Sequence, residues 1–235
     1  RIELNETFSN TAKLSLAVEF PDLFTFAEAK YLQQNPNVTI NQSFLPTLAI
    51  KQMLLNKEVD FCITYDSFYD SNIFSSLLLT EKLMLLVHPD HWAAKREEVS
   101  LKELKHERLI TMSDGFGFRK MTDRFCHEGG FYPAVPVEIL DMQMLRSMVA
   151  QGIGVSFITE MGWREILSSR SDAALLKLNL AAVPIEEDSC KRTAYISYFK
   201  NRVLTETAWD FYRFALDYFR RLEENNHSFK KSMIL

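Results

Sequence analysis

The chain has 235 residues, 47% of them apolar, with only seven glycines and seven prolines, so it can bury a sizeable core as one large or two small domains and is neither disordered nor collagenous. A net charge of −4 without any run of four or more basic residues excludes the electrostatic footprint of a phosphate-backbone binder. No segment has the ~18 uninterrupted apolar residues of a membrane span and the first residues lack a signal-peptide pattern, so a soluble, unexported protein is expected.

In chain order, Leu14, Leu16 and Val18 alternate along a strand over 12–18, and a helix over 24–34 stops at Asn35-Pro36. A second strand spans 38–42, Pro46 opens a helix running to about 56, and a third strand spans 59–64. This β-α-β-α-β order favours a parallel sheet with helices on its faces. An apolar strand over 81–87 ends in the turn signal His88-Pro89-Asp90. A second series follows: a strand at 109–112, a loop at 113–117, a helix at 118–127 and a strand at 135–139. The next helix covers 141–151, with Met142, Leu145, Met148 and Val149 on one face, and its period changes to that of a buried strand from Val155. Gly152 and Gly154 lie between the two patterns, where a helix end needs positive φ and a returning strand needs close approach. A strand at 192–199 and an amphipathic helix at 204–222 complete the pattern; Trp209, Tyr212, Phe214 and Phe219 read as core aromatics, and 223–235 reads as a polar, frayed end. The fold class is α/β, with two halves of similar plan rather than one very wide sheet.

Cys62, Cys126 and Cys190 are far apart in sequence and show no metal-ligand spacing with the histidines, which suits a reducing cytoplasm. Cys62 reads as a small core residue. Cys126 and Cys190 are either unpaired thiols or a redox pair. His88, His91, His106, His127 and His227 are scattered, and no Ser/His/Asp or metal constellation is visible, so neither an enzyme nor a metal or cofactor site is expected.

Six landmarks then occur in order: Asn35-Pro36-Asn37-Val38; Leu54-Leu55-Asn56-Lys57-Glu58-Val59-Asp60-Phe61-Cys62-Ile63; Leu86-Val87-His88-Pro89; Leu101-Lys102-Glu103-Leu104; Gly130-Phe131-Tyr132-Pro133; and Val149-Ala150-Gln151-Gly152-Ile153-Gly154-Val155. Together they make residues 12–200 resemble the effector-binding domain of LysR-type transcriptional regulators. The resemblance implies a type 2 periplasmic-binding-protein-like fold: two Rossmann-like α/β subdomains joined by two crossover strands, with a small-molecule cleft between them. On that plan 1–10 is the end of a linker, 11–86 and 200–235 form subdomain I, and 87–199 form subdomain II. It also implies a winged helix-turn-helix DNA-binding domain absent from this chain, so that DNA is contacted only through that module. A free-standing solute-binding protein would share the fold.

In an open α/β sheet, ligands bind beyond the carboxyl ends of the strands. The loops at 19–22, 44–47, 64–66 and 113–119 satisfy that rule and match the family's cleft positions. The candidate effector-binding residues are Glu19, Phe20, Thr47, Tyr65, Ser113, Phe116, Gly117, Phe118 and Arg119. Thr47 either donates to the ligand or caps its helix. The 113–117 loop can cradle an anion but lacks both glycine-rich nucleotide signatures. Arg119 either grips a carboxylate in bidentate fashion or is a surface arginine, solvated or paired with Asp114. The four aromatics suit an aromatic or amphipathic effector with one anionic end, and an amine on it would face Glu19 or Asp22. Three departures from the family pattern stand out: the acidic Glu19-Phe20-Pro21-Asp22 loop, Asn56 offered as the left-handed residue before the third strand, and Thr159-Glu160 where a proline often stands. The resemblance further implies a homodimer of this domain, with Ile50, Met53, Met144 and Met148 as interface candidates, a tetramer for the full-length protein, and signalling by ligand-induced closure. Intramolecular core is the competing assignment for each of those four residues.

Overall fold

In the computed structural model, which describes residues 12–169 and 179–232, the alternating Leu14, Leu16 and Val18 lie in a central strand of a parallel ladder. Strand β1 (Ala12–Val18) pairs with β2 (Val38–Phe44) on one side and β3 (Phe61–Thr64) on the other. Helix α1 (Pro21–Gln34) and helix α2 (Thr47–Leu55) make the two crossovers. α1 begins three residues before the expected 24, because Pro21 is pre-organised for a first helical turn and the apolar pattern registers only from Phe24. The linker expected over 1–10 lies outside the described residues, as does the side chain of Asp22.

The chain divides into two units: Arg1–Leu45, Ala49–Leu78 and Tyr195–Leu235 form unit 1, and Pro46–Leu48 with Leu79–Ala194 form unit 2. It passes from one to the other within β4 (Ile73–Val87) and returns within β9 (Lys191–Phe199), rather than at the expected 86/87 and 199/200. β4 is twice as long as the 81–87 run suggested, since Ser75 and Ser76 interrupt its apolar pattern and Phe74 and Leu77 face solvent.

Unit 1 is layered. On one sheet face the buried Leu14, Leu16 and Phe61 meet α1 and the C-terminal helix α6 (Glu206–Ser232). Rings interlock there: Phe24 stacks on Phe219 at 5.7 Å, and Tyr31 and Phe61 lie 5.0 and 6.3 Å from Phe211. On the opposite face Ala17 and Cys62 cluster with Ile50, Leu54, Val59 and Ile73. Each fully buried Leu, Ile or Phe contributes on the order of 2 kcal/mol to such a core. Ile50 therefore belongs to the intramolecular core and not to an interface, and Met53 packs partly against the same cluster. α6 runs on to Ser232, past the expected end at 222, and the ion pairs of Asp217 with Arg220 and Arg221 and of Arg220 with Glu224 support its polar continuation. Residues 233–235 lie outside the described residues.

After α2 the left-handed residue is Lys57, with φ 62°, and not Asn56. Its turn is closed by Glu58 N–H donating to the Met53 carbonyl at 2.9 Å, and Arg202 bonds both the Lys57 carbonyl and the Asp60 carboxylate. Asp60 in turn accepts from Ser15 N–H at 2.8 Å. An L-residue is thus held in the strained region by a guanidinium 145 positions away.

In unit 2 the second half of β4 pairs antiparallel with β7 (Ser156–Thr159) and β8 (Ala181–Pro184). β5 (Arg108–Met112) pairs parallel with β6 (Ala134–Ile139), and Leu109 bridges Val155 on its other side. The β5–β6 register slips between Arg108 and Ile110, opposite the segment of β6 that carries Pro136; among the described residues β6 pairs only with β5, which is where a strand tolerates proline. Helices α3 (Gly117–Glu128), α4 (Met142–Ala150) and α5 (Glu160–Ser169) flank these strands. The core includes Phe125 against Phe157 at 5.6 Å, with Leu85, Ile110, Leu145 and Val149 fully buried. The buried Glu81 and Arg192 form an ion pair between β4 and β9, and Glu81 Oε2 also accepts from Met161 N–H at 3.2 Å.

The glycine pair performs the two tasks assigned to it. Gly152 ends α4 with φ 71°, and a Cβ on Gly154 would stand 2.3 Å from the Arg108 carbonyl oxygen. That closeness lets Val155 exchange hydrogen bonds of 2.9 and 2.8 Å with the β5 backbone.

Candidate functional site

The candidate residues fall into two groups, one in each unit. In unit 1, Glu19 and Phe20 follow the C-terminal end of β1, and Tyr65 follows that of β3. Glu19 N–H donates to the Ile63 carbonyl at 3.0 Å, and Glu19 Oε2 accepts from Tyr65 N–H at 2.9 Å. The carboxylate is buried and engaged with backbone, so it serves to tie the two loops together and is not an open acceptor for a ligand amine. The tie brings Phe20 and Tyr65 to a ring separation of 4.3 Å, tilted by 42°. Thr64 Oγ1 donates to the Asp66 carbonyl at 2.7 Å and fixes the turn that carries Tyr65.

In unit 2, Ser113 follows β5 and its N–H donates to the Ile139 carbonyl at 2.9 Å, joining the C-terminal ends of β5 and β6. The Gly115 turn needs φ 91°, which glycine adopts without strain, and the Gly115 carbonyl accepts from Thr47 N–H at 3.2 Å. Thr47 thus reaches the same cluster as Ser113. Phe116, Gly117 and Phe118 are buried at the start of α3, and the positive end of that helix's dipole points toward the Ser113 loop.

Arg119 is placed differently from either expectation. Its Nε bonds both Asp123 carboxylate oxygens at 3.0 and 2.8 Å, and its Nη1 bonds Glu138 Oε1 at 2.6 Å. These bonds, led by Glu138, raise its pKa further above the arginine range. A guanidinium already gripped by two carboxylates would have to surrender them to hold a third, and Asp114 instead accepts from Gly115 N–H.

Of the remaining interface candidates, Met144 is 55% exposed and Met148 is half-buried on the outward side of α4, while on α2 Leu48 is 70% exposed and Met53 is turned toward the core. The sequence reading passed over Arg146, which is buried on α4 among Leu145, Val149 and Ala150, and Glu28, which is buried on α1 among Phe24, Ala27 and Tyr31. Each is a charged residue on its helix's apolar face, a signal visible in the sequence.

The three cysteines are free and buried. Burial raises the Cys62 thiol far above its usual value, and pushes Cys126 and Cys190 up to about 12, with Asp123 adding to the effect at Cys126 and Glu187 and Glu128 at Cys190. Such thiols carry almost no nucleophilic thiolate. Among the described residues no group of three or more His, Cys, Asp or Glu side chains could hold a metal, and no helix is long and apolar enough to cross a membrane.

Comparison with known proteins adds a family. The model of the LysR substrate binding domain matches residues 20–220. The transcriptional dual regulator GltC of Bacillus subtilis is 32% identical over 154 residues, 66% of this chain and 48% of its own length. The HTH-type transcriptional regulator XapR of Escherichia coli is 29% identical over 145 residues, 59% of this chain and 49% of its own. The chain spans about half the length of these two relatives. Among solved structures, the effector-binding domain of QuiR in complex with shikimate superposes with a TM-score of 0.74 at 19% identity, covering 90% of this chain and 98% of that one. The BenM effector-binding domain with benzoate gives 0.73 at 21% identity, covering 90% and 94%. These likenesses show the fold.

Proposed function

Because the chain belongs to the LysR substrate-binding domain family, we propose that it is the ligand-sensing part of a LysR-type transcriptional regulator, binding a small acid with an apolar body. The observation that carries this reading is a pair of clusters at strand C-terminal ends. One is the Phe20–Tyr65 aromatic shelf; the other is the Ser113–Phe118 turn at the start of α3, joined by Thr47. The ring pair is only 4% and 6% exposed, so it offers an apolar body no more than its rim, while the Ser113 hydroxyl and the helix start suit an anionic end. Arg119, already held by Asp123 and Glu138, ties the start of α3 to β6.

Shikimate and benzoate, the named ligands of two structural neighbours, are small ring carboxylates. An effector that binds one conformation of the domain more tightly than another shifts the population toward it, a response without chemistry. The domain works as a homodimer through the outward faces of α4 and α2, with Met144, Met148 and Leu48 in contact, inside a cytoplasmic tetramer whose DNA contacts come from a separate module. The curated relatives are transcriptional regulators, which favours this reading over a free-standing solute-binding protein.

The test begins with thermal shifts against a panel of small organic acids, since a ligand bound to the native state raises apparent stability. A ligand so found is then titrated calorimetrically against Ser113→Ala and Thr47→Val. Loss of one hydrogen bond to a charged group should weaken binding by about tenfold. Unchanged affinity in both variants would place the ligand elsewhere and overturn the site.

A further inference from the structure

A groove of about 460 Å³ runs along the surface of unit 1 between α1 and α6, lined by Lys30 and Gln34 from α1 and by Phe214, Asp217, Tyr218 and Arg221 from α6. It shares no residue with the effector clusters described above. We propose that this groove is a second small-molecule site, specific for a planar aromatic carboxylate.

The volume lies within the range of small-ligand pockets. Phe214 and Tyr218, one helical turn apart, lie roughly parallel at 5.9 Å with an interplanar angle of 26°, and both add apolar ring surface to the groove lining. The charged lining is two cations, Lys30 and Arg221, and one carboxylate, Asp217. Lys30 has no ion pair among the described residues, and its ammonium opens onto the groove. Arg221 gives one nitrogen to Asp217 Oδ2 at 2.7 Å and keeps its other donors. Asp217 is the groove's one acidic lining residue, and it does not repel an anion effectively, because Arg220 and Arg221 bracket it from two sides. Hydrogen bonding to Arg220 holds its carboxyl below the ordinary range, so it stays ionised and paired. Burial raises the Tyr218 phenol, which therefore remains a neutral donor at physiological pH.

The walls select among anions. A phosphorylated sugar would find one ammonium and a half-used guanidinium facing two rings, with no cradle of backbone N–H groups. An aliphatic acid would leave the ring faces without a flat partner. A flat aromatic acid satisfies both, its ring against Phe214 and Tyr218 and its carboxylate between Lys30 and Arg221.

Benzoate and its neutral isostere benzamide are the probes, titrated into the whole chain while backbone amide resonances are followed by NMR. Benzoate should shift Gln34, Tyr218 and Leu222, and benzamide at equal concentration should not. Lys30→Glu replaces an attraction by a repulsion of similar size and should weaken the effect at those resonances by roughly tenfold, whereas Lys30→Arg retains it. Ser113→Ala should leave it unchanged, which separates this site from the effector site. Equal shifts with benzamide, insensitivity to Lys30→Glu, or shifts confined to the Phe20 and Ser113 regions would each overturn the proposal.

Discussion

Glu28 gives unit 1 a stability that falls as pH rises. The carboxyl is 8% exposed on the inner face of α1, and its Oε1 has no hydrogen-bond partner among the described residues. Burial pushes its pKa from 4.5 up to about 7. In the unfolded chain the group loses its proton near 4.5, so between 4.5 and about 7 the native state binds more protons than the unfolded one. The contribution is fully present below 4.5 and is lost as pH rises through about 7. A difference of about 2.5 units, at about 1.4 kcal/mol each, comes to at most about 3.5 kcal/mol. Glu28→Gln removes the titration and leaves a buried amide donor that costs about 1 kcal/mol, so the variant should gain roughly 2 kcal/mol at pH 8 and match or trail the wild type near pH 5. Urea unfolding followed by tryptophan fluorescence, to which Trp209 on α6 of the same unit contributes, measures both. If the wild type and Glu28→Gln show the same change in stability between pH 5 and 8, the buried carboxyl is not the source.

Gly154→Ala should destabilise by more than about 3 kcal/mol, because its Cβ meets a backbone oxygen that β5 cannot move cheaply. Gly152→Ala, with open space around it but positive φ, should cost only about 1 kcal/mol; equal losses in thermal denaturation would contradict the distinction. Glu81→Ala removes the carboxylate paired with the buried Arg192 and should cost about 3–5 kcal/mol, while the double change Glu81→Leu with Arg192→Met should recover most of it in the same denaturation assay. Cys126 and Cys190, held near 12, should resist a disulfide reagent at pH 8 until the protein unfolds; rapid labelling of the native chain would show accessible thiolates.

The β-α-β-α-β order of the first 64 residues was legible because alternation, Asn35-Pro36 and Pro46 punctuate it locally. The glycine pair was legible for the same reason. α5 and β8 escaped notice: α5 follows β7 without a break in which a cap could show, and β8 has only four residues. At the site, the Asp123 partner of Arg119 is a helical i+4 neighbour and could have been read from spacing. Its Glu138 partner is 19 positions away on another strand, and the Glu19–Tyr65 tie spans 46; only the assembled sheets bring such groups together. For Ile50 interface and core both stay open in the sequence, because helical period shows which residues share a face and not whether that face meets a sheet of the same chain or a second copy.

Pro136 has a consequence beyond its own strand. Among the described residues the outer side of β6 pairs with no strand, the kind of border on which a stray extended chain can add itself as another strand. Proline brings no N–H to the strand, and the register slip opposite it bends the ladder. The border is thereby poorly suited to templating aggregation at high concentration. Self-association is left to side-chain surfaces, where partner choice is written in shape and charge, and not to the backbone, which would accept any sequence.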